Sequence, residues 1–162
     1  MFKEGDFIIY GSNGVCQVEH IGSMELQGVP DDKMYYTLVP VYEKKSRLFT
    51  PVDNHKVVMR PVISKKEACD LMQEMQVFEI QNEKNRDTVF KEALKTGDCE
   101  ELVRVIKTIY EKKQERKAQG KKVTAGDERY FKLAEEHLYG ELAIALGIEK
   151  DKVSSYIEKR LA

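Results

Sequence analysis

The amino-acid sequence predicts a two-domain α+β protein, with a β-domain over 1–62 and an all-α helical bundle over 63–162. Two observations carry this. Before Ser64 the apolar runs are short, rich in β-branched and aromatic residues, and separated by Gly, Asn, Asp or Pro. From Ser64 onward there is no proline, and apolar residues recur three and four positions apart. The grammar changes at Pro61-Val62-Ile63-Ser64, which places the domain boundary there.

Phe7 to Tyr10 is an apolar strand. Gly11-Ser12-Asn13-Gly14 reads as a tight turn, because Gly and Asn tolerate positive φ. Val15 to His20 alternates as a second strand. Val29-Pro30-Asp31-Asp32 is a polar turn, and Lys33 to Tyr42 is the strongest strand in the chain. Pro40 cannot donate to a ladder, so that end belongs at an edge or bulge. Arg47 to Thr50 is a short strand stopped by Pro51, and Val57 to Arg60 is a last one stopped by Pro61. Five short strands in about 60 residues predict a small SH3-like or Tudor-like barrel.

Ser64-Lys65-Lys66-Glu67 has the form of a capping box opening a first helix, with Ala68, Leu71, Met72 and Met75 at helical spacing. A second helix is expected from Glu83 to Leu94. Gly97 ends it, and Asp98-Cys99-Glu100-Glu101 opens a third as a further capping box. Leu102, Val103, Ile106, Ile109 and Tyr110 mark its expected apolar face. Gly120 interrupts, and Thr124 caps a fourth helix burying Phe131, Ala134, Leu138, Leu142 and Leu146, with Gly147 as its stop. Glu149 to Leu161 is the last helix.

Composition narrows the function. The 162 residues are 34% charged and 41% hydrophobic with net charge −1, so the molecule is not a polycation. No apolar run approaches the roughly 18 residues of a membrane span. The opening residues lack the apolar core of a signal peptide, so a cytoplasmic location is expected. Cys16, Cys69 and Cys99 are scattered, which argues against a disulfide framework or a zinc site. His20, His55 and His137 lie far apart, and no phosphate loop, G-x-S-x-G or H-E-x-x-H occurs. Asp53-Asn54-His55 reads as a polar turn, and Glu135 and Glu136 beside His137 as helix surface. No catalytic residue, metal or cofactor is expected.

Charge is local. Residues 103–122 carry eight basic side chains (Arg104, Lys107, Lys112, Lys113, Arg116, Lys117, Lys121 and Lys122) and two acids, a net of +6 inside a helical half that sums to zero. Such a cluster can neutralise phosphates and release counterions. It is also what an ordinary solvated helix end and loop look like. Arg104, Lys107 and Lys112 are expected opposite the apolar face and exposed together.

Phe2-Lys3-Glu4-Gly5-Asp6-Phe7-Ile8-Ile9-Tyr10 with Gly14-Val15, and then a strand leading to Pro51-Val52, resembles the opening domain of the CarD/CdnL bacterial transcription regulators. That domain is shared with the polymerase-interaction module of transcription-repair coupling factors. The helical half resembles the same family at Leu94 to Asp98, at Tyr110 and Gln114-Glu115-Arg116, at Thr124 to Glu128, and at Gly140 to Ala143. The chain is far too short for a coupling-factor translocase and has no ATPase motif.

The resemblance implies a non-catalytic regulator; a monomer is expected, though the sequence leaves dimer formation open. Its β-domain would pair a strand with the β1 lobe of the RNA polymerase β subunit, here Arg47, Leu48, Phe49 and Thr50 up to Pro51. Its helical domain would sit against promoter DNA at the upstream edge of the bubble, binding weakly and without sequence preference. Lys84, Arg86, Arg129 and Lys132 would join the cations of 103–122 in that contact. Family members carry a wedging tryptophan early in the helical domain. This chain has no tryptophan, and counting back from Gly97-Asp98 puts that position near Glu83. The competing reading is a protein–protein adaptor with a Tudor-like module that touches no DNA.

Overall fold

The computed structural model describes residues 1–23, 33–74 and 86–161. The chain divides into two compact units, Met1–Val62 and Ile63–Ala162, each with its own apolar core.

The first unit is an antiparallel five-stranded sheet: β1 Phe7–Tyr10, β2 Val15–Ser23, β3 Met34–Pro40, β4 Leu48–Pro51 and β5 Met59–Pro61. The order β4-β3-β2-β1-β5 puts β4 and β5 at the two edges. Between β1 and β2 lies a single 3₁₀ turn, Gly11–Asn13. Gly11 and Gly14 both take positive φ (49° and 75°), and the Tyr10 amide closes the loop onto Gly14 O at 3.0 Å. Side chains with a Cβ resist that conformation, hence the glycines.

The register slips between Val18 and His20, so β2 carries an irregularity at Glu19 and continues to Ser23, beyond the expected His20. The core gathers Ile8, Cys16, Val18, Tyr36 and Leu38, with Phe2 and Leu48 packed against it. Burial raises the Cys16 thiol to about 11, so it stays protonated and unreactive at neutral pH.

Several strand ends differ from expectation. Pro51 and Pro61 do not stop their strands but are the last residues of β4 and β5. Both strands are edges, where a residue without N–H has a side with no ladder to break. β5 begins at Met59 rather than Val57. β4 begins at Leu48 because Arg47 is used in the turn: its guanidinium donates to the carbonyls of Lys44 (2.7 Å) and Ser46 (3.0 Å).

The second unit holds α1 Lys65–Glu74, α2 Arg86–Thr96, α3 Cys99–Ala118, α4 Ala125–Leu146 and α5 Val153–Leu161, the last preceded by a 3₁₀ turn at Lys150–Lys152. The expected helix positions Met75 and Glu83 lie outside the described residues. Ser64 and Glu67 form the reciprocal capping box, at 3.0 and 3.1 Å. Asp98 accepts from the Glu101 amide at 3.2 Å, but the box there is half made, because the Glu101 carboxylate holds Arg104 instead. Thr124 accepts from the Asp127 amide at 3.2 Å, and Gly147 closes α4 in the left-handed conformation.

The apolar face of α3 is wider than expected and is displaced. Leu102, Val103, Val105, Thr108 and Ile109 are buried, Ile106 is half-buried, and Tyr110 is 53% exposed. α3 packs against both α2 and α4, so its buried arc is set by two neighbours rather than one. On α4 the ring fully covered is Tyr130, while Phe131 is half-buried.

Candidate functional site

Each unit presents one surface of chemical interest. In the first it is the β4 edge. Leu38 faces Leu48, Thr37 faces Phe49, Tyr36 faces Thr50 and Tyr35 faces Pro51. Alternation along the strand turns Leu48 and Thr50 toward the core and leaves Phe49 53% exposed. Thr50 Oγ1 accepts from Asn54 Nδ2 at 2.9 Å, and the Lys56 amide donates to Asn54 Oδ1, so the 53–55 segment is a polar turn that braces the strand. Arg47 precedes the strand with its Nε 2.7 Å from Glu19 on β2. This edge thus offers a braced backbone, one protruding phenylalanine and a cation paired with Glu19. The opposite edge, β5, is three residues long and ends in proline, a form that discourages further pairing.

In the second unit the charged surface runs along α3, the following turn and the start of α4. The expected cations do not form one exposed set. Arg104, Lys107 and Lys112 are half-buried rather than exposed together, and Arg104 is bound to Glu101. Two-sided packing of α3 covers the stems of these long side chains. Lys113 Nζ lies 3.1 Å from Glu128 and 4.2 Å from the centre of the Phe131 ring, which fastens α3 to α4. Arg116 donates to the Lys122 carbonyl at 2.9 Å and closes the turn.

Lys117, Lys121 and Lys122 remain exposed, and with Lys113 they line an open recess of about 610 Å³. Lys132 is exposed on α4. Lys84, and the side chain of Arg86, lie outside the described residues.

A second cluster joins the start of α2 to α4. The Tyr130 hydroxyl donates to Asp87 Oδ1 at 2.8 Å, Lys91 Nζ sits 3.1 Å from the same carboxylate, and Arg129 lies 5.9 Å from the Tyr130 ring centre. The Tyr130 hydrogen bond, then Lys91, hold Asp87 below the usual carboxylate range. Burial first, and Asp87 second, raise the Tyr130 phenol. Sequence reading did not find this network. Asp87 and Lys91 stand at i,i+4 and were visible as a pair. Tyr130 is 43 residues away and gives no local signal.

Elsewhere on α4, Glu141 is buried, only 1% exposed. It accepts from the Ile63 amide at 3.0 Å and from Cys99 Sγ at 3.1 Å, tying the first residue of the unit and the start of α3 to α4. Among the described residues, no group of three or more His, Cys, Asp or Glu could hold a metal ion, and no helix is long and apolar enough to cross a membrane.

Two family models match the chain in succession. One, described as the CarD-like/TRCF RID domain, covers residues 2–63. The other, described as the CarD C-terminal domain, covers residues 67–158. Both surfaces fall inside the matched residues.

Proposed function

The chain belongs to the CarD family of transcription-associated, RNA polymerase-interacting regulators, and we propose that it bridges the polymerase and promoter DNA without catalysing a reaction. The single observation that carries this is the pair of domain matches in order, one on each compact unit. β4 adds a strand to the β1 lobe of the polymerase β subunit, with backbone pairing giving affinity and Phe49 giving specificity. Arg47 contributes a cation beside that strand, and Leu48, Thr50 and Pro51 set its shape. The support is physical: the strand is an edge, it is braced, and its one outward aromatic is uncovered.

The helical unit contacts phosphates at the upstream edge of the bubble and prolongs the open complex. The exposed lysines 117, 121, 122 and 132, with Arg129, are the groups best disposed to do so. Arg86 and Lys84 belong to the same proposal. Phosphate contacts carry little sequence information, so free DNA is bound weakly and polymerase supplies the effective concentration. One protomer suffices for this bridge, and it works where the polymerase does, in the cytoplasm.

A second reading, an adaptor without DNA contact, is favoured by one observation: Arg104, Lys113 and Arg116 are engaged inside the fold. The test is open-complex decay across a salt series with wild-type chain and the Lys121→Glu/Lys122→Glu variant. The expected result is a shorter lifetime for the variant at low salt and a shallower salt dependence. The log–log slope should fall by roughly one unit for each lysine–phosphate pair removed. Equal lifetimes at every salt concentration would leave the adaptor reading.

A further inference from the structure

A lone exposed aromatic is ordinary on a protein surface. Tyr110 is distinguished by its neighbours on the helix. Among the described residues of the helical unit it is the one large hydrophobic side chain that is exposed. Lys113, Gln114 and Lys117 lie three, four and seven positions beyond it, which places all four on one stripe of α3. That stripe runs into the recess of about 610 Å³, whose lining includes Lys113, Gln114, Lys117, Lys121, Lys122 and Glu128. Glu128 is satisfied by Lys113, which leaves the exposed ammonium groups of Lys117, Lys121 and Lys122 to set the charge of the recess.

We propose that Tyr110 and this lysine recess together form a binding stripe for unpaired nucleotides of a DNA strand, one base stacking on the Tyr110 ring and the adjoining phosphates entering the recess. The proposal rests on the DNA-contacting reading above and names the state of the DNA it takes. Seven residues of helix separate Tyr110 from Lys117, about 10 Å along the axis. About three nucleotides at about 3.4 Å each cover that span. An aromatic ring beside a cationic track is how single strands are held without regard to sequence. In a duplex the base faces are already stacked and Tyr110 has nothing to receive. The ring therefore discriminates by strand state, while the lysines act on both.

The test titrates the full-length chain at low salt into a single-stranded oligonucleotide carrying 2-aminopurine, into its duplex, and into ATP. The expected result is tighter binding of the single strand with a change in 2-aminopurine emission. Tyr110→Ala should weaken single-strand binding about 5-fold or more. Tyr110→Phe should retain it, because the ring remains, and duplex binding should not move with either. Lys121→Glu/Lys122→Glu should weaken single strand and duplex alike. Tyr110 is a surface residue, so an unchanged thermal midpoint will show that each variant folds.

Unchanged single-strand affinity in Tyr110→Ala, with duplex binding and open-complex lifetime still sensitive to the lysines, would overturn this proposal and leave the DNA-contacting reading intact. Failure of the wild type to bind either DNA form or to prolong the open complex would overturn both. ATP binding as tight as the oligonucleotide would replace the strand by a free nucleotide.

Discussion

At the scale of single residues, two polar groups of α4, Glu141 and His137, are wholly or partly withdrawn from water. Glu141 is 1% exposed and accepts from the Ile63 amide and the Cys99 thiol, the part of a structural acceptor. His137 is half-buried, and burial first, then Lys150, lower its basicity against the opposing pull of Glu136. The consequence for pH has a definite sign. The unfolded chain takes up a proton near the ordinary histidine value of 6.5, the folded chain only at lower pH, so acidification favours the unfolded state. His137 should therefore contribute full stability above that value and lose it as pH falls below it. Urea unfolding at about pH 7 and about pH 5 should show a smaller loss for His137→Gln than for wild type. An identical loss would show that other groups carry the acid sensitivity.

At the scale of elements, the helix starts are where local chemistry and fold agree best. Ser64, Asp98 and Thr124 each accept the amide three residues on, as their residue types dictate. Asp98→Ala and Thr124→Ala should each cost about 0.5–2 kcal/mol. For a unit of this size that lowers the melting temperature by several degrees, roughly 4–8 °C per kcal/mol. Thermal unfolding followed by circular dichroism reads this directly, and an unshifted midpoint would deny the caps a stabilising role. The sheet shows the converse. Proline at the last position of β4 and β5 is tolerated because each strand is an edge, and that cannot be seen until the strand order is known.

At the scale of the whole molecule, two cores with separate membership make two units. Polymerase binding is proposed for the first unit alone. Residues 1–63 should bind the isolated β lobe, and Phe49→Asp or Arg47→Glu should weaken binding while leaving the sheet folded. Binding measured by surface plasmon resonance, with near-ultraviolet circular dichroism as the folding control, checks this. Full retention of lobe affinity by residues 64–162 would reverse the assignment. The resemblance implies a tryptophan early in the helical domain, and the chain has none. The position reached by counting back from Gly97-Asp98, near Glu83, lies outside the described residues; among the described residues of the helical unit, Tyr110 is the one large aromatic that is exposed.

What the sequence determined by itself was everything governed by a few neighbouring residues: the change from strand to helix at Ser64, the Gly11–Gly14 turn, the caps at Ser64, Asp98 and Thr124, and the stop at Gly147. These follow from φ preferences and from side chains answering nearby amides, so a short window contains the whole cause. The family was legible for the same reason, in motifs of a few residues each. Only the tertiary structure decided which charges remain at the surface. Packing of α3 between α2 and α4 half-buries Arg104, buries Val105 and turns Tyr110 outward. Pairing Lys113 with Glu128 and Tyr130 with Asp87 spans 15 and 43 residues. Such contacts are fixed by which surfaces meet, and a count of charges along the chain does not contain that information.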